Sequence, residues 1–257
     1  MIFEDLKDKT IIVFGACGRI GRAVTVAMEG AGAWVVAVDL DARALEELAL
    51  ANGEKHVVDI SDRNALRELF ARFANSGAKP CAAVNACYPI GKNYGADFFD
   101  VEYDDFCDNV SRHLGGFFVV MQACAEYSLT EQSAFSLVNL SSIYGVTAPR
   151  LDIYEQTNMT MPIEYAAIKA GIQHMQAFVT SYTKGSLFRV NSVSPGGILD
   201  NQPARFLAAY QSYSRSKGML DAEDITGGIL FLCSSASSYI CGQNVVIDDG
   251  FTLGGRR

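Results

Sequence analysis

The stretch Thr10-Ile-Ile-Val-Phe-Gly15-Ala-Cys-Gly18-Arg-Ile-Gly21 determines which fold the sequence predicts. Its first five residues are β-branched or apolar and predict a buried strand, and the glycines after them predict a tight turn. Ala23, Val24 and further apolar residues up to Met28 then follow the period of a helix. A strand, a glycine turn and a helix in this order are typical of the first unit of a doubly wound α/β sheet.

The same glycine turn predicts a binding site for a dinucleotide. Gly15, Gly18 and Gly21 allow the backbone to turn sharply and to approach a pyrophosphate, while the free amides at the helix start supply hydrogen bonds. A glycine-rich loop alone is weak support, because glycine also simply ends strands. Its position between a strand and a helix is what makes the turn informative.

The end of the second apolar run bears on the choice of dinucleotide. Asp39 follows Trp34-Val-Val-Ala-Val and is placed to accept both hydroxyl groups of an adenosine ribose. Such a carboxylate repels a 2'-phosphate, so the sequence favours NAD over NADP. Arg19 and Arg43 are nearby cations that keep NADP open as the alternative.

The remaining segments continue the alternation of strands and helices. Further strands are predicted at 56–59, 82–85, 135–140, 189–193 and 244–247, and helices at 42–51, after Ser61, at 104–127 and at 163–182. Asp41 and Ser61 are the predicted caps of two of these helices. The pattern predicts an α/β Rossmann fold in which a doubly wound parallel sheet of about seven strands carries helices on both faces, as a single domain over residues 1–257.

Composition excludes several classes of function. Of the 257 residues, 49% are hydrophobic and 19% charged, which is typical of a globular protein, and the net charge of -8 argues against nucleic acid or an anionic membrane as a partner. The amino-terminus has acids where a signal peptide needs a basic region. The 7 cysteines lack CxxC or Cys/His spacing, which predicts reduced thiols, no metal site and a cytoplasmic location.

Tyr165 and Lys169 are candidates for chemistry. They lie one turn apart in the predicted helix 163–182, and a nearby ammonium is expected to lower the pKa of the phenol from about 10. Ser142, at the end of the strand 135–140, can hold a carbonyl or alcohol oxygen against that phenol. A Tyr and a Lys four apart more often belong to a solvated helix face, so the pair gains weight only from the rest of the chain.

These features together resemble a short-chain dehydrogenase/reductase of classical length. The matching pieces are Gly15-x-x-Gly18-x-x-Gly21, Asp39, Asp59-Ile60, Val84-Asn85-Ala86, Val138-Asn-Leu-Ser-Ser142, Tyr165-x-x-x-Lys169, Arg189-Val-Asn-Ser-Val-Ser-Pro195-Gly196 and Gly242-Gln-x-Val-x-x-Asp248-x-Gly250. The resemblance covers nearly the whole chain and implies an enzyme that binds a nicotinamide dinucleotide and forms a homodimer or homotetramer.

The resemblance also implies residue roles. Tyr165 is the implied general acid/base, Lys169 binds the nicotinamide ribose and lowers the tyrosine pKa, and Ser142 polarises the substrate oxygen. The implied cofactor-binding residues are Gly15, Gly18, Arg19, Ile20, Gly21, Asp39, Leu40, Asp59, Ile60, Asn85, Ala86, Cys87, Tyr165, Lys169, Pro195, Gly196 and Ile198.

The chain departs from the family pattern at several positions. His113 stands where an asparagine commonly organises a water chain to the lysine; the imidazole or a main-chain group can serve in that relay, and a purely structural histidine is an equal alternative. Gly18 replaces the middle glycine usually found at the position of Arg19. Cys87 replaces another family glycine and leads into the unusual segment Tyr88-Pro-Ile-Gly-Lys-Asn-Tyr94.

The interval between Ser142 and Tyr165 is roughly ten residues longer than in typical members. This insertion, residues 143–164, resembles members associated with flagellin modification and surface-polysaccharide sugar synthesis. Residues 198–218 are expected to form a lid over the substrate. The candidate substrate-binding residues, which suit a hydroxyl-rich or phosphorylated molecule, are Tyr88, Lys92, Arg150 and Tyr154. For Arg150 alone, an exposed loop position is the favoured interpretation.

The sequence therefore predicts an NAD-dependent oxidoreductase that interconverts a secondary alcohol and a ketone. A sugar phosphate or nucleotide sugar is the favoured small-molecule substrate. Two alternatives stay open at this point: a dinucleotide-sensing or scaffold protein without turnover, and a sugar epimerase or dehydratase that uses NAD transiently. The segment after Pro195 leaves little room for the nucleotide-sugar domain that the latter enzymes usually carry.

Overall fold

Seven parallel strands form one sheet in the computed structural model, which describes residues 3–74 and 78–255. Their order is β3-β2-β1-β4-β5-β6-β7. The strands are β1 Thr10–Phe14, β2 Trp34–Asp39, β3 Gly53–Val57, β4 Pro80–Asn85, β5 Phe135–Leu140, β6 Phe188–Pro195 and β7 Asn244–Ile247. The chain order reverses between β1 and β4, so the sheet is doubly wound, as predicted, and its switch point lies beside the glycine turn.

Helices cover both faces of this sheet. They are α1 Arg19–Gly30, α2 Ala42–Glu47, α3 Arg63–Ala74, α4 Tyr103–Asn109, α5 Gly115–Glu131, α6 Ile163–Tyr182, α7 Ala204–Gln211 and α8 Thr226–Cys233. Among the described residues, none of these helices has both the length and the apolar character that crossing a bilayer requires.

Two apolar clusters, one on each face, hold the helices to the sheet. In β1, Ile11 and Val13 belong to one cluster, and Ile12 and Phe14 belong to the other, because successive strand residues point to opposite faces. The first cluster contains residues of α1 and α8, and the second contains residues of α3, α5 and α6. Every residue of β1 is buried on both sides, which explains its continuous apolar run.

Several element boundaries differ from the prediction. β4 begins at Pro80 rather than at residue 82, and β6 spans Phe188–Pro195 rather than 189–193. β3 begins at Gly53 rather than at residue 56, because this glycine approaches β2 so closely that a Cβ would lie 2.0 Å from the Val35 carbonyl oxygen. The helix that begins at Ala42 ends at Glu47 rather than at residue 51. Asp62, and not Ser61, accepts hydrogen bonds from the first amides of α3, at 2.8 Å and 3.1 Å.

The predicted single helix over 104–127 is also wrong. A π-helical turn, Val110–Leu114, separates α4 from α5. Gly115 and Gly116 follow this turn, and Gly116 packs so closely that a Cβ would lie 2.8 Å from Ile60 Cδ1. The wider turn carries His113 into the interior, where its side chain is buried. Such turns are frequent at functional sites.

A third cluster lies above the carboxyl ends of the strands and joins the predicted insertion to the predicted lid. Ile153 of the insertion packs with Phe206 and Tyr210 of α7. The Tyr210 and Phe251 rings stack with centroids 4.1 Å apart. The two segments that the sequence placed beside the substrate are therefore packed against each other as one roof.

Candidate active site

The carboxyl ends of β1, β4, β5 and β6 open into one cavity of about 650 Å³. Phe14 lies opposite Val38 in β2 and opposite Asn85 in β4, so the residues that follow these strands reach the same edge. Side chains of residues 143–164 and 198–218, the predicted insertion and the predicted lid, form the opposite wall. This is the position at which open parallel sheets bind their ligands.

Tyr165 and Ser142 meet in this cavity, as predicted. Both line it, Tyr165 from the first turn of α6 and Ser142 from the end of β5. The Ser142 hydroxyl is a hydrogen-bond partner of the phenol, and it also accepts from the Tyr144 amide at 3.2 Å. The neighbouring Ser141 has a different task, because its hydroxyl donates to the Lys169 carbonyl oxygen at 2.9 Å and holds β5 to α6.

Lys169 is buried beside these two hydroxyl groups. Its ammonium donates to the Leu140 carbonyl oxygen at 2.9 Å and lies 3.3 Å from His113 Nε2. The same nitrogen lies 5.6 Å from the centre of the Tyr165 ring. The π turn and α6 thus bring His113 directly to the lysine.

The electrostatics differ from the prediction. Burial raises the pKa of Tyr165, and the hydrogen bond with Ser142 only partly opposes that rise. The expectation that the tyrosine pKa lies below its usual value is therefore wrong for this arrangement. Burial instead lowers the pKa of Lys169 to about 7. Burial and the charge on Lys169 lower the pKa of His113 to about 2, so the imidazole is neutral and can accept a hydrogen bond from the ammonium.

The lowered pKa of Lys169 predicts a pH-dependent effect on stability. Since the folded-state pKa is about 7 and the unfolded value is about 10.4, the lysine opposes folding fully below pH 7, and this cost declines as the pH rises toward 10. Lys169→Met removes the cost. We expect the variant to have a higher free energy of unfolding than wild type at pH 7. This advantage should decline by up to about 1.4 kcal/mol for each pH unit above pH 7.

Urea unfolding of wild type and variant at pH 7 and pH 9.5 measures this difference. Lys184→Met, which changes an exposed lysine, is the matched control. Its free energy of unfolding should differ from that of wild type by the same amount at pH 7 and at pH 9.5. A Lys169→Met difference that does not vary with pH would contradict the burial of a titrating ammonium.

The glycine turn fits the pyrophosphate of a dinucleotide. Gly15 has a positive φ of 74°, and a Cβ on Gly21 would lie 1.9 Å from the Gly15 carbonyl oxygen, so the turn and the start of α1 are in close contact. Gly18 precedes α1, and no side chain caps the amino-terminus of the helix. Uncapped amides and the helix dipole favour a bound anion there.

Asp39 stands at the end of β2 beside this turn. Its carboxylate accepts from the Cys17 amide at 2.9 Å and from the Asp41 amide at 3.2 Å, which fixes its direction. Asp41 itself caps α2, as predicted, by accepting from the Ala44 amide. Neither candidate cation for a 2'-phosphate is free: Arg43 pairs with Glu47, and Arg19 pairs with Asp200 of the lid.

The other predicted cofactor residues divide into two groups. Those that line the cavity are Gly18, Arg19, Ile20, Ala86, Cys87, Tyr165, Lys169, Pro195, Gly196 and Ile198. Those that lie outside its lining are Gly15, Gly21, Asp39, Leu40, Asp59, Ile60 and Asn85. Asn85 is nevertheless fully buried at the switch point, and its amide nitrogen has no hydrogen-bond partner, which is consistent with a ligand group there.

The four predicted substrate residues do not converge. Tyr88 and Tyr154 line the cavity, and the Tyr88 ring lies 5.9 Å from the Tyr165 ring. Lys92 is exposed and is not part of the lining. The Arg150 guanidinium donates to the Gly254 carbonyl oxygen at 2.6 Å and lies over the Tyr213 ring. Arg150 is therefore neither a substrate residue nor the exposed loop residue that the favoured interpretation predicted, because it is half-buried and packed against the carboxyl-terminal segment.

Several residues that line the cavity are not among the site residues predicted from the sequence. They are Tyr94, Tyr144, Met159, Met161, Phe206, Tyr210 and Met219. Tyr144 follows Ser142 by two positions and was within reach of a motif-based argument. Tyr94 ends the segment that begins at Tyr88, and the others lie in residues 143–164 and 198–218 or just beyond them, where no motif fixes a side chain in space.

Comparison with known proteins identifies the family. The family model described as enoyl-(acyl carrier protein) reductase matches residues 15–252. The chain belongs to the short-chain dehydrogenase/reductase family. It is therefore an oxidoreductase of the kind that acts on CH-OH groups.

Individual relatives cover almost the whole chain. The post-translational flagellin modification protein A of Campylobacter coli is 38% identical over 256 residues, which cover 96% of this chain and 100% of the relative. A probable galactose dehydrogenase of Rhizobium meliloti is 27% identical, with 96% of each chain covered. The crystal structure of a short-chain dehydrogenase from Leptospira borgpetersenii with bound NAD+ is 30% identical, with a TM-score of 0.86 over 97% of this chain and 95% of that one.

Proposed function

We propose that this short-chain dehydrogenase/reductase uses NAD to interconvert a secondary alcohol and a ketone on a sugar. The observation that carries the proposal is the convergence of Ser142, Tyr165 and Lys169 in one cavity beside an uncapped, glycine-rich helix start. A proton-transfer group next to a dinucleotide cradle is what a hydride-transfer enzyme needs.

The residues divide the chemistry as follows. A bound nicotinamide would supply the hydride acceptor for the carbinol carbon in oxidation. Ser142 holds the substrate oxygen, and Tyr165 takes the hydroxyl proton. The Lys169 ammonium stabilises the phenolate by its charge, while the Leu140 carbonyl oxygen fixes its place. His113 Nε2, at 3.3 Å, accepts a hydrogen bond from the ammonium and helps to hold it in place. Reduction follows the same path in reverse.

NAD is favoured over NADP by the charges around Asp39. A 2'-phosphate would meet this carboxylate, whose direction is fixed by two backbone amides. Arg19 and Arg43, which would be needed to bind the phosphate, are paired with Asp200 and Glu47. The relative from Leptospira borgpetersenii that was crystallised with NAD+ supports the same preference.

A sugar is favoured by the relatives' names and by the insertion. The flagellin modification protein and the probable galactose dehydrogenase suggest a sugar substrate, and a sugar phosphate or nucleotide sugar follows from the sequence prediction. The insertion, residues 143–164, contributes Tyr144, Tyr154 and Thr160 to the cavity wall. Phenol and hydroxyl side chains suit a molecule rich in hydroxyl groups.

Nicotinamide absorbance with NAD or NADP and a panel of sugars, sugar phosphates, nucleotide sugars and one 3-oxoacyl thioester tests the proposal. We expect turnover with a sugar and at least about 10-fold higher kcat/KM with NAD than with NADP, since a repelled phosphate costs more than about 1.4 kcal/mol. If the protein turns over only the thioester, the proposal that its substrate is a sugar is wrong. If the protein binds NAD but neither oxidises, reduces nor otherwise changes any compound of the panel, the alternative of a dinucleotide-sensing protein is favoured.

We also propose a homodimer or homotetramer built on the outer surfaces of α5 and α6. Phe118 and Leu129 of α5 are about half exposed, and Phe178 and Tyr182 of α6 stack on each other while 67% and 79% exposed. Apolar side chains grouped in this way are typical of an interface. A monomer in light scattering at micromolar concentration would contradict this part of the proposal.

A further inference from the structure

The substrate end of the cavity is neutral and aromatic. Among the described lining residues, the only cations are Arg19 and Lys169, and both lie at the cofactor end. Arg19 is bound to the lid through the Leu199 carbonyl oxygen at 3.1 Å and through Asp200. The wall formed by the insertion and the lid consists mainly of tyrosine, methionine and phenylalanine side chains.

Three of the cations closest in sequence to this wall are bonded elsewhere, and two others, Lys92 and Arg215, are exposed and do not line the cavity. The Arg150 guanidinium donates to the Gly254 carbonyl oxygen at 2.6 Å. Arg205 in the lid donates to the Glu155 carbonyl oxygen at 3.0 Å, and Lys217 pairs with Asp221 and Asp224. A phosphate on the reacting ring would therefore enter a compartment without a counter-charge, and burying an unpaired anion is costly.

Tyr144 is the polar group in this wall whose hydroxyl makes no hydrogen bond of normal geometry, although the Tyr154 hydroxyl lies near it. Its side chain is 9% exposed and lines the cavity. Burial raises the pKa of this phenol, and the charge and the long hydrogen-bond contact of the neighbouring Tyr154 raise it further, so the phenol stays protonated and can donate to a ligand that approaches more closely than Tyr154 does. An unmade hydrogen bond at a buried hydroxyl costs about 1–3 kcal/mol, which a bound ligand can recover.

The other hydroxyl groups of the wall are already bonded. Tyr88 and Tyr94 bond to each other at 2.6 Å, Tyr210 accepts from the Gly197 amide at 2.7 Å, and Thr160 donates to the Gly95 carbonyl oxygen at 2.6 Å. Tyr144 is also held in place, since its amide donates to the Ser142 hydroxyl. The Tyr144 phenol thus stands at a fixed distance from the group that is proposed to hold the reacting oxygen.

We propose that the reacting ring of the substrate is a neutral sugar, and that Tyr144 is a specificity-determining residue that donates to a hydroxyl or acylamido carbonyl oxygen on it. Met159 and Met161 pack against the apolar carbons of the same ring or its substituent. This inference rests on the proposed sugar oxidoreductase function. It narrows the substrate by excluding sugars in which a phosphate or carboxylate on the reacting ring faces this wall; a nucleoside diphosphate is compatible only where it extends away from the wall.

The first test compares matched substrates in the nicotinamide assay: a hexose, its 6-phosphate, its uronic acid and its nucleoside-diphosphate derivative. We expect kcat/KM for the neutral ring, free or attached to the nucleotide, to exceed that for the 6-phosphate and the uronic acid by at least about 10-fold. Faster turnover of either anionic ring would overturn the inference and leave the proposed function intact. Turnover of none of these sugars would overturn both.

The second test is Tyr144→Phe, which removes only the hydroxyl. We expect KM for the neutral sugar to rise by about 10-fold with little change in kcat, because a donor to the bound ring is lost and the proton-transfer groups stay in place. NAD affinity, measured by fluorescence titration, should not change. Tyr239→Phe, at a fully exposed tyrosine, is the matched control. If KM for the sugar is unchanged in the Tyr144→Phe variant, or if NAD affinity falls by as much as KM rises, the proposed role of this phenol is wrong.

Discussion

Replacing Tyr165 with Phe should lower kcat/KM by about 10³-fold, because the variant has no group to take the alcohol proton. The side chain lies beside Ser142 in the wall of the cavity, with the Lys169 ammonium 5.6 Å from the centre of its ring, and burial raises its pKa. A free phenolate is therefore scarce at neutral pH. During the reaction, the phenolate is stabilised by the Lys169 charge and the Ser142 hydroxyl. Phenylalanine has no oxygen on which these groups can act, so the expected loss of activity is large.

Initial rates and NAD affinity of the Tyr165→Phe variant check this expectation. NAD affinity should stay close to the wild-type value, which separates loss of chemistry from loss of folding. Tyr127→Phe is the matched control, because Tyr127 is a buried tyrosine whose ring packs between Phe70 and Phe135 and whose hydroxyl has no hydrogen bond. Full activity in both variants would show that the proton is transferred by another group.

Replacing Gly21 with Ala should reduce NAD affinity by more than about 10-fold. The new Cβ would lie 1.9 Å from the Gly15 carbonyl oxygen and 2.8 Å from the Gly15 carbonyl carbon, so the turn and α1 must separate. That movement displaces the amides that are proposed to bind the pyrophosphate. Because the obstacle is backbone, no side chain can move aside to relieve it.

Gly30→Ala in the same helix is the matched control. A Cβ at Gly30 would meet nothing within 4 Å, so this variant should bind NAD normally and gain up to about 1 kcal/mol of stability. Thermal unfolding with and without NAD distinguishes a folded Gly21→Ala protein that has lost binding from one that does not fold. Wild-type NAD affinity in a folded Gly21→Ala protein would contradict the assignment of this turn.

The parts of the fold that could be predicted are those with a strong local pattern. β5, β7 and α6 have the predicted bounds, because continuous apolar runs and an unbroken helical period fix them. β3 lies at the edge of the sheet and has mostly half-buried or exposed residues, so its pattern is weak. The cap of α3 was misassigned because Ser61 and Asp62 are both good caps and only the backbone direction chooses between them.

The candidate site shows the same division. Ser142, Tyr165 and Lys169 could be predicted to meet because a parallel sheet brings its strand ends to one edge. The pairing of Arg19 with Asp200 joins residues 181 positions apart, and no local pattern encodes it. Lys92 and Arg150 were assigned by charge alone, whereas the structure turns them away from the cavity.

The position of His113 was half predictable. Its place in the family motif pointed to the lysine, but the π turn that carries the imidazole to 3.3 Å from Lys169 has no recognisable signal in the sequence. Burial then makes the imidazole neutral, and this depends on packing around the whole side chain.

The most direct test of the account is hydride transfer from a deuterated sugar. The sugar with the fastest turnover is labelled at the reacting carbinol carbon and incubated with NAD. We expect the NADH formed to contain one deuterium, and ketone and NADH to form in equal amounts. The Tyr165→Phe variant should form neither product. An altered sugar that keeps the deuterium, with no NADH released, would contradict the account and identify an epimerase or dehydratase.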